Sequence, residues 1–220
     1  MKPKTEDAPN YATERRVALE KRRRVSEMSV EEMRRELLTS QVTGLPNRRA
    51  FDEAGPAPAV AIADMDGLKA LNNYGYDVGN ALLLAMAGVL RQVGLVAFHD
   101  KGDEFLCRGF ETENLRSKLE SARSLLRDRA VVIRRADGST LNVVGADFSY
   151  GVGQDLYQAE LALRKHKTER ERTGYISRGE LRSITVSFAK RRTYVASSRP
   201  RPRAVSTSRT EQTTSLVLLP

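Results

Sequence analysis

The 220-residue chain has a single cysteine, Cys107, so no disulfide can form within it. Nor does it contain any run approaching the ~20 consecutive apolar residues that a membrane-spanning helix requires. The opening Met1-Lys2-Pro3-Lys4-Thr5-Glu6-Asp7 lacks the apolar centre of a secretion signal. These shortages together predict a protein of the reducing cytoplasm with no membrane span. Glycine and proline are missing between Tyr11 and Ser40, where Glu, Arg, Ala, Leu and Met prevail. That stretch reads as one mostly exposed helix. Its thin apolar stripe of Val17, Met28, Met33, Leu37 and Leu38 suits pairing with a partner helix.

Acidic residues are scarce near the other end. From Ser177 onward nine basic residues face two acidic ones, which accounts for seven of the formal net charge of +9. The rest of the chain is close to balanced. A basic tail of this kind can hold nucleic acid weakly and without sequence preference. Its Ser, Thr and Pro content reads equally as a solvated, disordered end. Three regions follow: a polar N-terminus and charged helix over 1–40, a patterned domain over 41–176, and a basic, largely disordered tail over 177–220.

The patterned region alternates strands and helices. Ala59-Val60-Ala61-Ile62-Ala63 is a short apolar run suited to a buried strand that ends at Asp64. Ala81 to Val93 is apolar at helical spacing, with Asn80 placed to cap it and Gly94 to stop it. Leu95–Phe98 and Glu104–Phe110 flank Asp100-Lys101-Gly102-Asp103, a hairpin with Gly102 in the left-handed position. A helix is expected over Glu113–Arg129, a second hairpin around Asp137-Gly138, a strand over Asp147–Val152 and a helix over Leu156–Lys167. Beyond Ile184 the pattern fails. This order predicts an α/β domain on one sheet.

The chemistry-bearing residues are acids at turns. Asp64 and Asp66 follow the first strand, while Asp103 and Glu104 lie on the hairpin, and all converge if the two strands are neighbours. Converged carboxylates repel unless a cation intervenes, and hard oxygen donors suit Mg²⁺ or Mn²⁺. Taken alone, an Asp-x-Asp after a strand equally describes acids decorating a turn.

The wording of six segments adds to this. Thr43-Gly44-Leu45-Pro46-Asn47-Arg48-Arg49-Ala50-Phe51 resembles the TGLPNRRxF opening of GGDEF domains, and Asp64 to Asn73 resembles their DxDxFKxIND segment. Tyr74 to Asn80 looks like YGHxxGD, and Lys101-Gly102-Asp103-Glu104-Phe105 looks like the signature itself. Ser149-Tyr150-Gly151-Val152 and Ala159 to Lys167 are similar to the family's SIGVA strand and ADxALYxAK helix. The resemblance covers roughly Gln41 to Tyr175.

It implies a palm-like, adenylyl-cyclase-like fold: a single mixed sheet flanked by helices. It implies a diguanylate cyclase, in which two domains meet as a homodimer and join two GTP into cyclic di-GMP with release of pyrophosphate. By position, Asp64, the Met65 carbonyl and Asp103 would hold Mg²⁺ or Mn²⁺. Asp103 and Glu104 would carry the catalysis, with Asp103 helping to deprotonate the ribose 3′-hydroxyl. Asn72 and Asn80 would read guanine, Tyr76 stands at the family's histidine position, and Lys167 would contact the triphosphate.

Departures from the pattern favour a second reading, a degenerate module that binds nucleotide or dimerises without catalysis. Lys101 replaces the first glycine of the signature, putting a side chain near the nucleotide or along a phosphate. Asn80 replaces an acid, so one charge-assisted hydrogen bond to guanine is lost, about 1.5–3 kcal/mol or roughly 10–100-fold in affinity. Asp77 stands near enough to take that role. Ser40 replaces the family's Asp before TGLPNRR. Either Arg170 or Arg172 stands for the phosphate-binding arginine. The family's inhibitory RxxD is missing, because Gln92-Val93-Gly94-Leu95 occupies its place. Cys107 reads as core, and His99 and His166 lack metal-ligand spacing with it.

Overall fold

The computed structural model describes residues 25–135, 138–172 and 185–190. After a short 3₁₀ turn at Val25–Glu27, the chain runs through α1 (Val30–Leu38), α2 (Arg48–Glu53), β1 (Ala59–Met65), α3 (Leu68–Leu71) and α4 (Tyr76–Gln92). It continues through β2 (Val96–His99), β3 (Glu104–Gly109), α5 (Thr112–Asp128), β4 (Val131–Arg134) and β5 (Ser139–Val144). The last elements are β6 (Phe148–Gly153), α6 (Leu156–Arg172) and β7 (Thr185–Lys190).

Four strands form the main sheet in the order β2-β3-β1-β6, and every pairing within it is antiparallel. β1 is central and apolar throughout because both of its faces are covered. Ala59, Ala61, Ala63 and Met65 face the larger core with α4 and α5. Val60 packs with Phe51, Phe98, Leu106 and Ala159 on the opposite face, with Ile62 against the same cluster. The strand's alternation therefore sends Val60, Ile62 and Asp64 toward α6. That parity decides where the chemistry lies.

The palm-like α/β architecture is as expected, with helices on both faces of an antiparallel sheet. It differs from the expectation of one mixed sheet in two respects. All pairings between named strands are antiparallel, and β4-β5-β7 form a separate three-stranded sheet. β7 also lies within the segment assigned to the tail. Thr185–Lys190 pairs with β5 along its length, so regular structure resumes past Ile184. The remaining tail, including the proposed nucleic-acid segment, lies outside the described residues.

Two helix starts also differ. The segment before Ser40 is broken within its described part, because Ser29 caps a new helix. Its hydroxyl accepts from the Glu32 N–H, and the Glu32 carboxylate accepts from the Ser29 N–H. This reciprocal box stabilises a start at Val30 more than a continuous run would. The apolar α4 begins at Tyr76 after Gly75, so Asn80 lies inside the helix and caps nothing. Its end is as predicted: Gly94, at φ 70°, lets Leu95 N–H reach the Leu90 carbonyl and Gly94 N–H reach Arg91.

Candidate functional site

β1 and β3 are neighbours in a register that sets Asp64 directly opposite Glu104. Beyond that pair the Met65 N–H donates to the Asp103 carbonyl at 3.0 Å, so strand end and hairpin turn are bonded together. Glu104 shares the face of Leu106, which is also the face of Asp64. Burial pushes the Asp64 carboxyl above the usual carboxylate range, and the charges of Asp103 and Glu104 push it the same way. Opposing them, the Lys167 ammonium stands 2.7 Å from Asp64 Oδ1. Three of the four predicted acids thus share one sheet edge.

The fourth does not. Asp66 is turned into the protein, where its Oδ1 accepts from the Ser149 hydroxyl at 2.9 Å. Arg170 Nη1 lies 2.7 Å from Asp66 Oδ2 but directs its protons to the Phe148 carbonyl and Ser149 Oγ. Burial therefore wins over the guanidinium and pushes Asp66 up to about 6. Arg170 also donates to Asp147 at 2.8 Å, and Arg123 makes a fork to the same carboxylate at 3.0 and 3.4 Å. Burial alone would raise Asp147, but its bond to Arg123 and the charges of Arg170 and Arg123 hold it below the usual range.

The hairpin is fastened on its other side as well. Gly102 has φ 54°, as the turn requires, and the Glu104 N–H donates to the Lys101 carbonyl. His99 Nδ1 lies 2.7 Å from Ser40 Oγ, and His99 Nε2 lies 3.2 Å from the Gly102 carbonyl. A neutral ring protonated on Nε2 satisfies both, with the serine hydroxyl donating and the histidine donating onward to Gly102. Ser40 Oγ in turn accepts from the Val42 and Thr43 N–H groups. Arg48 reaches Asp100 at 3.2 Å and the His99 N–H donates to the Pro46 carbonyl at 2.8 Å, so two further links join the TGLPNRR segment to the hairpin. The Lys101 side chain is 76 % exposed and 3.7 Å from Glu104, pointing away from the interior.

Among the residues expected to read guanine, Asn72 ends α3, and its Oδ1 lies where a Cβ on Gly79 would fall, so residue 79 must be small. Asn80 is half-buried on α4 and Tyr76 is 81 % exposed at its start. Asp77 is paired with Arg135 at 3.4 Å, and Arg135 also donates to the Tyr74 carbonyl. Asp77 therefore has a structural partner in Arg135.

No family model matches the chain, and no curated protein matches it. Solved structures do. The diguanylate cyclase SiaD of Pseudomonas aeruginosa, solved with its activator SiaC, is 24% identical with a TM-score of 0.50, covering 72% of this chain and 71% of that one. A diguanylate cyclase/phosphodiesterase from Caldicellulosiruptor saccharolyticus is 22% identical at a TM-score of 0.50, over 62% of this chain and 91% of its own. The S helix-GGDEF-EAL portion of Vibrio cholerae LapD, bound to c-di-GMP, is 19% identical at the same TM-score, over 64% and 36%.

The fold is that of a GGDEF-like domain.

Within this GGDEF-like domain, Asp64, Met65, Asp103, Glu104 and Lys167 meet at one edge, and Asn72, Tyr76 and Asn80 follow on the adjoining helices. Arg170 is buried in the Asp66–Asp147 network, which leaves Arg172, exposed at the end of α6, as the arginine open to an anion. Among the described residues no group of three or more His, Cys, Asp or Glu side chains is arranged to hold a metal ion unaided. No helix there is long and apolar enough to cross a membrane.

Three sets of contacts around the site escaped the sequence. Ser40 and His99 stand 59 positions apart and carry no spacing signal. Arg135 belongs to a hairpin assigned only to the fold. Arg123 and Arg127 surround Asp147 from a helix that reads as an ordinary charged surface.

Proposed function

We propose that the domain binds GTP with a divalent ion, Mg²⁺ or Mn²⁺, and joins two GTP into cyclic di-GMP as a pair of identical domains. The observation that carries this is the register of β1 on β3, which sets Asp64 beside the Asp103-Glu104 turn. Asp64, the Met65 carbonyl and Asp103 would hold the ion. Two carboxylates and a carbonyl suit Mg²⁺, which takes its remaining ligands from water and substrate phosphate. When bound, the ion lowers the pKa of a hydroxyl and neutralises the departing phosphate.

The chain's own residues supply the rest. Asp103 accepts the proton of the ribose 3′-hydroxyl. That oxygen bonds to the α-phosphorus of the GTP on the facing domain as the bond to the β-phosphate breaks and pyrophosphate leaves. The same exchange in the other direction closes the ring. Asn72 and Asn80 face the guanine, with one acceptor fewer than an acid at position 80 would provide. Exposed Val30, Met33 and Leu37 on α1 support pairing of two copies. A chain beginning at Gln41 should dimerise more weakly in light scattering, and an equally stable dimer would remove that role from α1.

Incubation with GTP and Mn²⁺ followed by chromatography is the deciding test. Product is expected, and Asp103→Asn should lower its rate by about 100-fold or more. An undiminished rate in that variant would reject the assignment of Asp103. The Lys101 and Asn80 departures favour the second reading, a module that binds nucleotide or pairs without turning it over. Nucleotide binding with no product in either metal would establish that reading instead.

A further inference from the structure

Three acids and two lysines meet at the sheet edge, and the two lysines are held very differently. Lys101 is 76 % exposed and 3.7 Å from Glu104, a contact that water and salt weaken. Lys167 is 39 % exposed and 2.7 Å from Asp64, whose side chain is only 11 % exposed. Asp103 has no ionic partner among the described residues, and its charge and that of Glu104 bear on Asp64. One close ammonium therefore compensates the carboxylate that would be the first ligand of a divalent ion.

The neighbouring cation one turn later sharpens the contrast. Arg170 is buried, its side chain 7 % exposed, and bonded to Phe148, Ser149 and Asp147, so it is fixed in place. Lys167 lies on the same sheet-facing stripe of α6 after Ala159 and Leu163, with water on its free side. Its flexible stem lets the ammonium move by several ångströms with no change in the helix.

We propose that Lys167 is a displaceable cation of the site: it holds Asp64 in the ion-free protein, gives way to the divalent ion, and then turns to nucleotide phosphate. This rests on the nucleotide-and-metal reading above and deepens it. The lysine prevents mutual repulsion of Asp64, Asp103 and Glu104 before ligands bind. It also lowers the affinity for free metal, because the ion must compete with a bound ammonium. Metal and nucleotide then favour one another's binding through the same side chain, since an ammonium freed by one is available to the other.

The full-length protein, Lys167→Met, Lys167→Arg and Asp64→Asn should be titrated with Mn²⁺ alone, following free ion by electron paramagnetic resonance. Lys167→Met should bind Mn²⁺ about tenfold more tightly than the natural protein, while Lys167→Arg stays within about threefold of it. With saturating Mn²⁺ and a non-cyclisable GTP analogue, the same Lys167→Met change should weaken analogue binding about tenfold. Opposite signs in the two titrations exclude a merely structural role, which would move both the same way. Equal or weaker Mn²⁺ binding by Lys167→Met overturns the proposal, as does no Mn²⁺ binding by either protein at millimolar ion. If Asp64→Asn binds Mn²⁺ as the natural protein does, the metal assignment itself fails. If Asp64→Asn loses the ion but Lys167→Met shows no gain, only the displacement is wrong.

Discussion

At the scale of single residues, two glycines on β6 matter more than their lack of chemistry suggests. A Cβ on Gly151 would stand 2.1 Å from the Ala159 carbonyl oxygen and 2.1 Å from the Leu163 nitrogen, both backbone atoms of α6. A Cβ on Gly153 would stand 2.5 Å from Gln158 Cβ. The helix that carries Lys167 and Arg170 reaches the sheet edge because the strand beneath it is bare. Gly151→Ala should therefore cost about 3 kcal/mol or more in urea unfolding, at the upper end for overpacking, because no flexible side chain can yield. It should also weaken nucleotide binding by shifting α6. Cys107 makes the opposite kind of residue-level prediction. Fully enclosed in the core, its thiol is pushed up to about 12 by burial. Reaction with a thiol reagent at neutral pH should proceed only at the rate of unfolding, and rapid labelling of the native protein would contradict that placement.

At the scale of elements, α6 is joined to the sheet by charge as well as by close packing. Arg170 spans Asp66, at the end of β1, and Asp147, just before β6. Replacing it with methionine fills much of the volume but leaves two buried carboxylates short of a partner. Arg123 remains on Asp147, so Asp66 bears most of the loss. Removing one member of a buried pair costs about 3–5 kcal/mol, and Arg170→Met should show that loss in chemical denaturation. A cost under 1 kcal/mol would mean the network contributes little. This is also where the sequence stops being legible. β1, β2, β3, β6 and α5 were readable because apolar runs and turn glycines report local geometry. The convergence of Asp64 with Asp103 and Glu104 was readable too, since it needed only one strand pairing. Asp66 was misread because it stands two positions after Asp64, the spacing that sends strand side chains to one face, and only α6 shows which carboxylate is covered. Asn80 was misread as a cap because α4 continues one turn upstream through Tyr76-Asp77-Val78-Gly79, which is weakly apolar. β7 was invisible because its partner β5 lies more than forty residues earlier and its own neighbours are basic.

At the scale of the whole molecule, buried His99 and half-buried His166 link stability to pH. Burial lowers the pKa of His99 against the opposing influence of the Gly102 carbonyl, Asp100 and Asp103. Burial also lowers His166, helped by Arg123 and Arg170 and opposed by its bond to the Tyr150 carbonyl. In the unfolded chain both titrate near the ordinary value of about 6.5. Below that value the unfolded state takes up protons that the folded state refuses, so acid favours unfolding. Their contribution is complete above about 6.5 and is lost as pH falls through the folded values. Asp66 acts in the other direction. Raised to about 6, it binds a proton in the folded state while still ionised in the unfolded chain, which offsets part of the loss below pH 6. The melting temperature should therefore hold nearly level above about pH 6.5, fall below it, and fall less steeply below about 6, where Asp66 takes up its proton. A His99→Gln, His166→Gln double variant, less stable at every pH, should lose most of that fall. An unchanged slope in that variant would place the proton uptake on other groups. Because His99 bridges Ser40 to the Gly102 carbonyl, the same acid range that destabilises the fold should loosen the signature turn, and nucleotide binding should weaken in parallel with the melting temperature.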